Sequence, residues 1–174
     1  MHCTRHAGWG LALLLLAGCG AQRMELVVDG APLAFTPQAA IVTANASGGH
    51  AIQIVNYAVE RDGAIDPERL RAAREGQYRL ELLLVKQAAN GRQPLAVGEY
   101  RPQPYDRVPR DKLVRVSVYG VVGGREQRLK DLDYEHLEGR LLIVSVDGDS
   151  VRGRIEVQGE ATTVYGGFRA RLLP

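Results

Sequence analysis

Four arginines near the end of the chain, Arg152, Arg154, Arg169 and Arg171, alternate with apolar residues. One run sets Val151, Gly153, Ile155 and Val157 against Arg152, Arg154, Glu156 and Gln158. The other sets Val164, Gly166, Phe168, Ala170 and Leu172 against Tyr165, Gly167, Arg169 and Arg171. The chemistry open to such a set is anion binding, because a guanidinium presents a planar fork of donors that holds two oxygens of a phosphate or carboxylate. Alternate side chains of a strand point to opposite faces. With the apolar sets turned to a core and the two runs paired, all four guanidinium groups share one outer face. Like charges directly opposite each other are destabilising by roughly a few tenths of a kcal/mol per pair. The set therefore calls for internal acids such as Glu156 or Glu81, or for an external anion.

Other chemistry is sparse. Beyond the first few residues the histidines are His50 and His136, and neither has a second histidine at metal-ligand spacing. Ser47, Ser117, Ser145 and Ser150 lie in no nucleophile elbow. Asp131, Asp133 and Glu135 would share one face of a strand, as calcium ligands do. The calcium-loop pattern, however, needs glycine where His136 stands and an acid where Leu142 stands. These acids are expected to form a solvated loop, and Asp147-Gly148-Asp149 a hairpin turn. No glycine-rich phosphate loop precedes a helix. The expectation is a non-enzymatic chain with no catalytic residues, no metal and no cofactor.

Residues 11–17 form an apolar run after Arg5 and end in Leu16-Ala17-Gly18-Cys19. The run is well short of the roughly 20 residues that a membrane span needs, and its parts are those of an export signal. Leu16-Ala17-Gly18-Cys19 resembles the lipobox of bacterial lipoproteins, in which a small-residue pair precedes a cysteine. The resemblance implies that 1–18 is removed as a signal peptide, that Cys19 carries a diacylglyceryl group, and that the new amino terminus is acylated. Each buried methylene contributes about 0.8 kcal/mol and a single chain anchors marginally, so two or three chains make attachment effectively permanent. In enterobacterial lipoproteins an Asp after the cysteine favours retention in the inner membrane. Gly20 stands there, so the expected location is the outer membrane, periplasmic side. Residues 19–23 form the lipidated cysteine and a short tether, whose last four residues reach at most about 14 Å. The domain at 24–174 is then held close to the membrane. The anions open to the arginines become lipid headgroups, anionic glycan or an acidic envelope protein.

Composition narrows the partners further. Lys and Arg together number 22 against 20 Asp and Glu, a net charge of +2, which gives nucleic acid no electrostatic footing. Cys3 would leave with the signal and a lipidated Cys19 forms no disulfide, so the hydrophobic core must carry the fold.

The elements that position these residues are short and strand-like. Asp29-Gly30 closes a strand at 24–28, and 33–35 is the expected return. Strands are expected at 40–44 and 51–57 around a loop at 45–49. Asp66-Pro67-Glu68 starts a surface helix of about three turns that Gly76 can end. Residues 78–85 and 95–100 follow as strands around Asn90-Gly91, then a proline-rich loop at 101–110. Residues 113–122, 139–146, 151–157 and 164–172 complete the strands, with turns at Gly123-Gly124 and Asp147-Gly148.

The last third ends in a hairpin and the strand Gly166-Gly167-Phe168-Arg169-Ala170-Arg171-Leu172. It resembles a pattern of small uncharacterised β-sandwich lipoproteins. The expected fold is all-β: an antiparallel β-sandwich with one short surface helix, or alternatively a small lipocalin-like β-barrel. The expected function is that of a lipid-anchored module binding an envelope partner; the alternative is a carrier of a small hydrophobic ligand in a barrel or inter-sheet cavity. Cys19→Ala is expected to block lipidation and so to change how the protein fractionates with membranes. Unchanged fractionation of this variant would remove the anchor.

Overall fold

The computed structural model describes residues 23–44, 49–61, 64–86, 94–103 and 111–173. The expected signal peptide at 1–18, Cys19, the expected tether to residue 22, most of the 45–49 loop, the Asn90-Gly91 turn and 104–110 lie outside them. The strands are β1 (Met24–Val28), β2 (Ala31–Pro32), β3 (Ala39–Ala44), β4 (His50–Val55), β5 (Glu60–Arg61), β6 (Ala64–Ile65) and β7 (Tyr78–Lys86). They continue with β8 (Gly98–Pro102), β9 (Asp111–Val122), β10 (Arg125–Asp133), β11 (Glu138–Asp147), β12 (Ser150–Gly159) and β13 (Thr162–Leu172).

The chain is all-β, and its sheet closes. β12 pairs with β11, then follow β8, β9, β7, β4, β3 and β13, and β13 pairs back to β12. Eight strands thus form a barrel, and the expected sandwich gives way to the alternative. The order is not that of a simple up-and-down barrel, because β8–β9 and β13–β3 run parallel. β13 makes closure possible by dividing one edge between two neighbours. Residues 163–166 pair with β1, and Arg171 and Leu172 lie opposite Ile41 and Val42 of β3. Sandwich and barrel demand the same in–out alternation along each strand, so periodicity could not separate them.

Among the described residues the expected apolar sets pack the interior. Val42, Ile52, Ile54, Leu80, Leu82, Leu113, Val118, Leu141, Ile143, Val151 and Ile155 all reach 0% exposure, so no water-sized void touches them. Phe168 is buried beside Val164, with Leu172 packed at the edge of the same cluster. Phe168 lies directly opposite Gly153, and a Cβ on Gly153 would stand 2.4 Å from its ring. Glycine is what lets the ring lie across the neighbouring strand.

The return expected at 33–35 is instead Ala31–Pro32, directly after the Asp29-Gly30 turn, and two further local expectations fail for identifiable reasons. The surface helix is a single 3-10 turn, Pro67–Leu70. Few apolar residues follow Pro67, so a longer helix would have had little to bury. Its surroundings instead pack a small second core of Val55, Tyr57, Val59 and Ala72 against Leu70 and Val121, outside the barrel. The acidic "loop" is mostly strand: Asp131 and Asp133 belong to β10, which pairs with β9. In this wing strand only Leu132 is buried, so it carried no apolar stripe to betray it.

Phe168→Ala should destabilise the protein by about 3–5 kcal/mol, the usual cost of truncating a buried aromatic. Urea unfolding measures it, and a loss below about 1 kcal/mol would contradict the packing described here.

Candidate functional site

All four arginines stand on the outer wall of the β12–β13 hairpin. Arg152 lies directly opposite Arg169, while Arg171 faces Ser150 and Arg154 faces Gly167. The four are exposed and share one face. Sharing a face does not leave them all free. Arg154 meets Glu156 at 2.7 Å, donates to the Tyr165 hydroxyl and lies 5.0 Å over the Tyr165 ring. Arg152 donates to Ser145 Oγ at 2.9 Å and comes within 3.7 Å of Asp147. Arg171 comes within 3.5 Å of Asp149. Arg169 has no ion-pair or hydrogen-bond partner among the described residues. Internal carboxylates therefore account for three of the four, Glu156 as expected but otherwise Asp147 and Asp149 of the β11–β12 turn and not Glu81, and the anion-binding capacity narrows to Arg169.

The same wall continues as a ladder of alternating charge. Arg140 bonds Glu156 at 3.0 Å and Glu99 at 3.3 Å, and Glu99 also accepts from Arg101. Arg101, Glu99, Arg140, Glu156 and Arg154 thus link β8, β11 and β12. Exposed pairs of this kind contribute ~0–1 kcal/mol each, so the ladder orders side chains more than it stabilises the fold.

Beside Arg169 the wall opens into a cleft of about 310 Å³. Gln38, Ala39 and Ala40 enter from the start of β3, Glu60 and Ile65 from the β5–β6 hairpin, and Asp149 and Ser150 from the β11–β12 turn. Arg169, Ala170 and Arg171 form its β13 side. The Glu60 carboxylate, like the Arg169 guanidinium, has no ion-pair partner among the described residues. A second cleft, about 290 Å³, lies beside Tyr165 and Glu138. β1 runs antiparallel to β13 with Met24 opposite Gly166, so Arg23 lies towards Arg169. At about 3.3 Å per residue, Gly166 and Arg169 are about 10 Å apart.

The opposite wall, on β4, β7, β9 and β10, is also polar. Arg79 grips Glu126 with two parallel bonds at 3.1 and 3.0 Å, reaches Glu81 at 2.8 Å, and stacks 3.9 Å over Tyr119. Gln53 donates to Glu81 at 3.2 Å, and its own Oε1 is buried without a hydrogen-bond partner among the described residues. Ser117 donates to Asp131 at 2.6 Å, and Arg128 reaches the same carboxylate at 2.7 Å. Sequence reading missed this cluster because its members come from strands that are distant in the chain. His50 is buried in β4 rather than placed in a loop.

Asp133 caps the turn Tyr134–His136 and bonds His136 at 2.8 Å. His136 also approaches Glu160 at 3.7 Å, and Lys130 bridges Glu160 at 3.0 Å and Asp29 at 2.7 Å. Among the described residues no group of three or more His, Cys, Asp or Glu could hold a metal ion. No protein-family model, curated protein or solved structure matches the chain.

The Asp133 carboxylate, first through its hydrogen bond and then through its charge, holds the His136 pKa above its ordinary value. The same hydrogen bond, as the largest cause, holds Asp133 below the usual carboxylate range. The histidine's share of stability is full below its unfolded pKa, about 6.5, and fades as pH rises through the raised value. The aspartate's share is present above about pH 4 and fades as pH falls through its depressed value. Thermal melting of the parent and of His136→Gln should therefore differ more at pH 5.5 than at pH 8.5. Equal differences at both pH values would refute the coupling.

Proposed function

We propose that this chain is a non-enzymatic binding module, held to the periplasmic side of the outer membrane by a lipid on Cys19, that engages an envelope partner. The partner is an acidic protein, an anionic glycan or a lipid headgroup. What supports this reading is the packing around interior residues such as Val42, Ile52, Leu80 and Leu141, which have no water-sized space beside them. Recognition then falls to the outer wall, where Arg169 is exposed and without a partner among the described residues. Arg23 lies towards Arg169 along β13. A four-residue tether reaching at most about 14 Å would keep this wall near the anchored lipid.

Closure of the barrel favours a second reading, a carrier of a small hydrophobic ligand. An eight-stranded barrel is just wide enough either to be filled by side chains or to hold one small ligand. For this chain the carrier requires interior leucines and isoleucines at zero exposure to move apart.

The two readings separate in solution. Arg152→Gln combined with Arg169→Gln should lower retention of solubilised envelope components on the immobilised protein, with unfolding unchanged. A carrier would instead bind cis-parinaric acid stoichiometrically, insensitive to those substitutions. Saturable binding of that probe together with undiminished retention by the double variant would overturn the outer-wall reading.

A further inference from the structure

We infer that the cleft between β13 and the β5–β6 hairpin is a site for a zwitterion that joins an anionic phosphate to an ammonium, as in a phosphoethanolamine group. The inference deepens the binding-module reading and rests on it for the nearness of a membrane. Arg169 and Glu60 line the same cleft, carry opposite charge, and each lacks an ion-pair partner among the described residues. They do not pair with each other either, although both border one space of about 310 Å³. A ligand with both charges can satisfy the two groups at once: the guanidinium fork takes two phosphate oxygens, and the carboxylate accepts from the ammonium. A simple anion satisfies one and leaves a carboxylate at its side.

The rest of the lining agrees. Arg171 and Asp149 add a second pair of opposite charges at 3.5 Å, so the cleft is close to neutral and selects for charge distribution more than for net charge. Ala39, Ala40, Ile65 and Ala170 add apolar lining to the same cleft, which can cover the carbon link of such a ligand. The group could arrive as a lipid headgroup or as a small soluble molecule.

The test uses the full chain carrying Cys19→Ala, so that no acyl chain contributes to attachment. Calorimetric titration at physiological ionic strength should show binding of O-phosphoethanolamine, with glycerol phosphate weaker. Arg169→Gln and Glu60→Gln should each weaken binding about tenfold to a hundredfold, as expected for losing one charge-assisted contact. Circular dichroism should show both variants folded. Co-sedimentation with vesicles of phosphatidylethanolamine and phosphatidylglycerol, but not of phosphatidylglycerol alone, would identify the source as a lipid surface. Binding of soluble O-phosphoethanolamine without vesicle capture would identify a soluble one. Equal affinity for glycerol phosphate with no effect of Glu60→Gln, or no binding to any probe, would overturn the zwitterion site. The titration is independent of whether Cys19 is lipidated, so failure of the anchor would not be mistaken for failure of the cleft.

Discussion

The outer edge of β13 is divided between β1 and β3, and the barrel exists because of that division. An open sheet of this length would leave two edges of unpaired N–H and C=O groups, which invite pairing with other chains. Here the edge of β3 and the edge of β12 both terminate on β13. The parallel join is short, Arg171 and Leu172 against Ile41 and Val42, reinforced by the Leu173 amide donating to Val42 at 2.8 Å. Closure also fixes which side of every strand is interior, and hence which side carries the arginines.

Around Val42, Ile52, Leu80 and Leu141 the interior is close-packed, and the charged chemistry lies on the walls. On the β8–β11–β12 side, charges alternate and pair across strands, which blunts the surface to non-specific contacts. Against that background Arg169 and Glu60 stand apart: similar in kind to their neighbours, but with no ion pair among the described residues. On the opposite wall Arg79, Glu126, Glu81 and Tyr119 form a tight set that ties β10 to β7 and β9. Its role is in holding the wing strand, which buries little of its own.

Much of the fold was legible because strands announce themselves by alternation. Residues 151–157, 164–172 and the first half of 78–85 carried an apolar side and a polar side, and Phe168 went where its register required. Closure was not legible, since nothing in a two-residue period says whether the last strand returns to the third. β10 escaped because a wing strand needs no apolar stripe. The arginine face was correctly located, but its pairing depended on Asp147, Asp149 and Glu156 lying within reach, which side-chain geometry decides. The Glu60 side of the cleft comes from a hairpin over a hundred residues away in sequence, and no local signal linked it to Arg169.

The division of β13 also shapes how the chain must fold. Met24 pairs with Gly166 and Val42 with Leu172, so the first strands wait for a partner near the far end of the described chain. Such contacts give a high contact order, and the entropy of closing long loops is lost before any of them forms. Helical proteins of this size can acquire local structure early; here β3 and β4 can form a hairpin, but the barrel can seal only at the end. Until then β1 and the outer edge of β3 are open strands with apolar faces. Partly folded molecules would be vulnerable to edge-to-edge association during that interval.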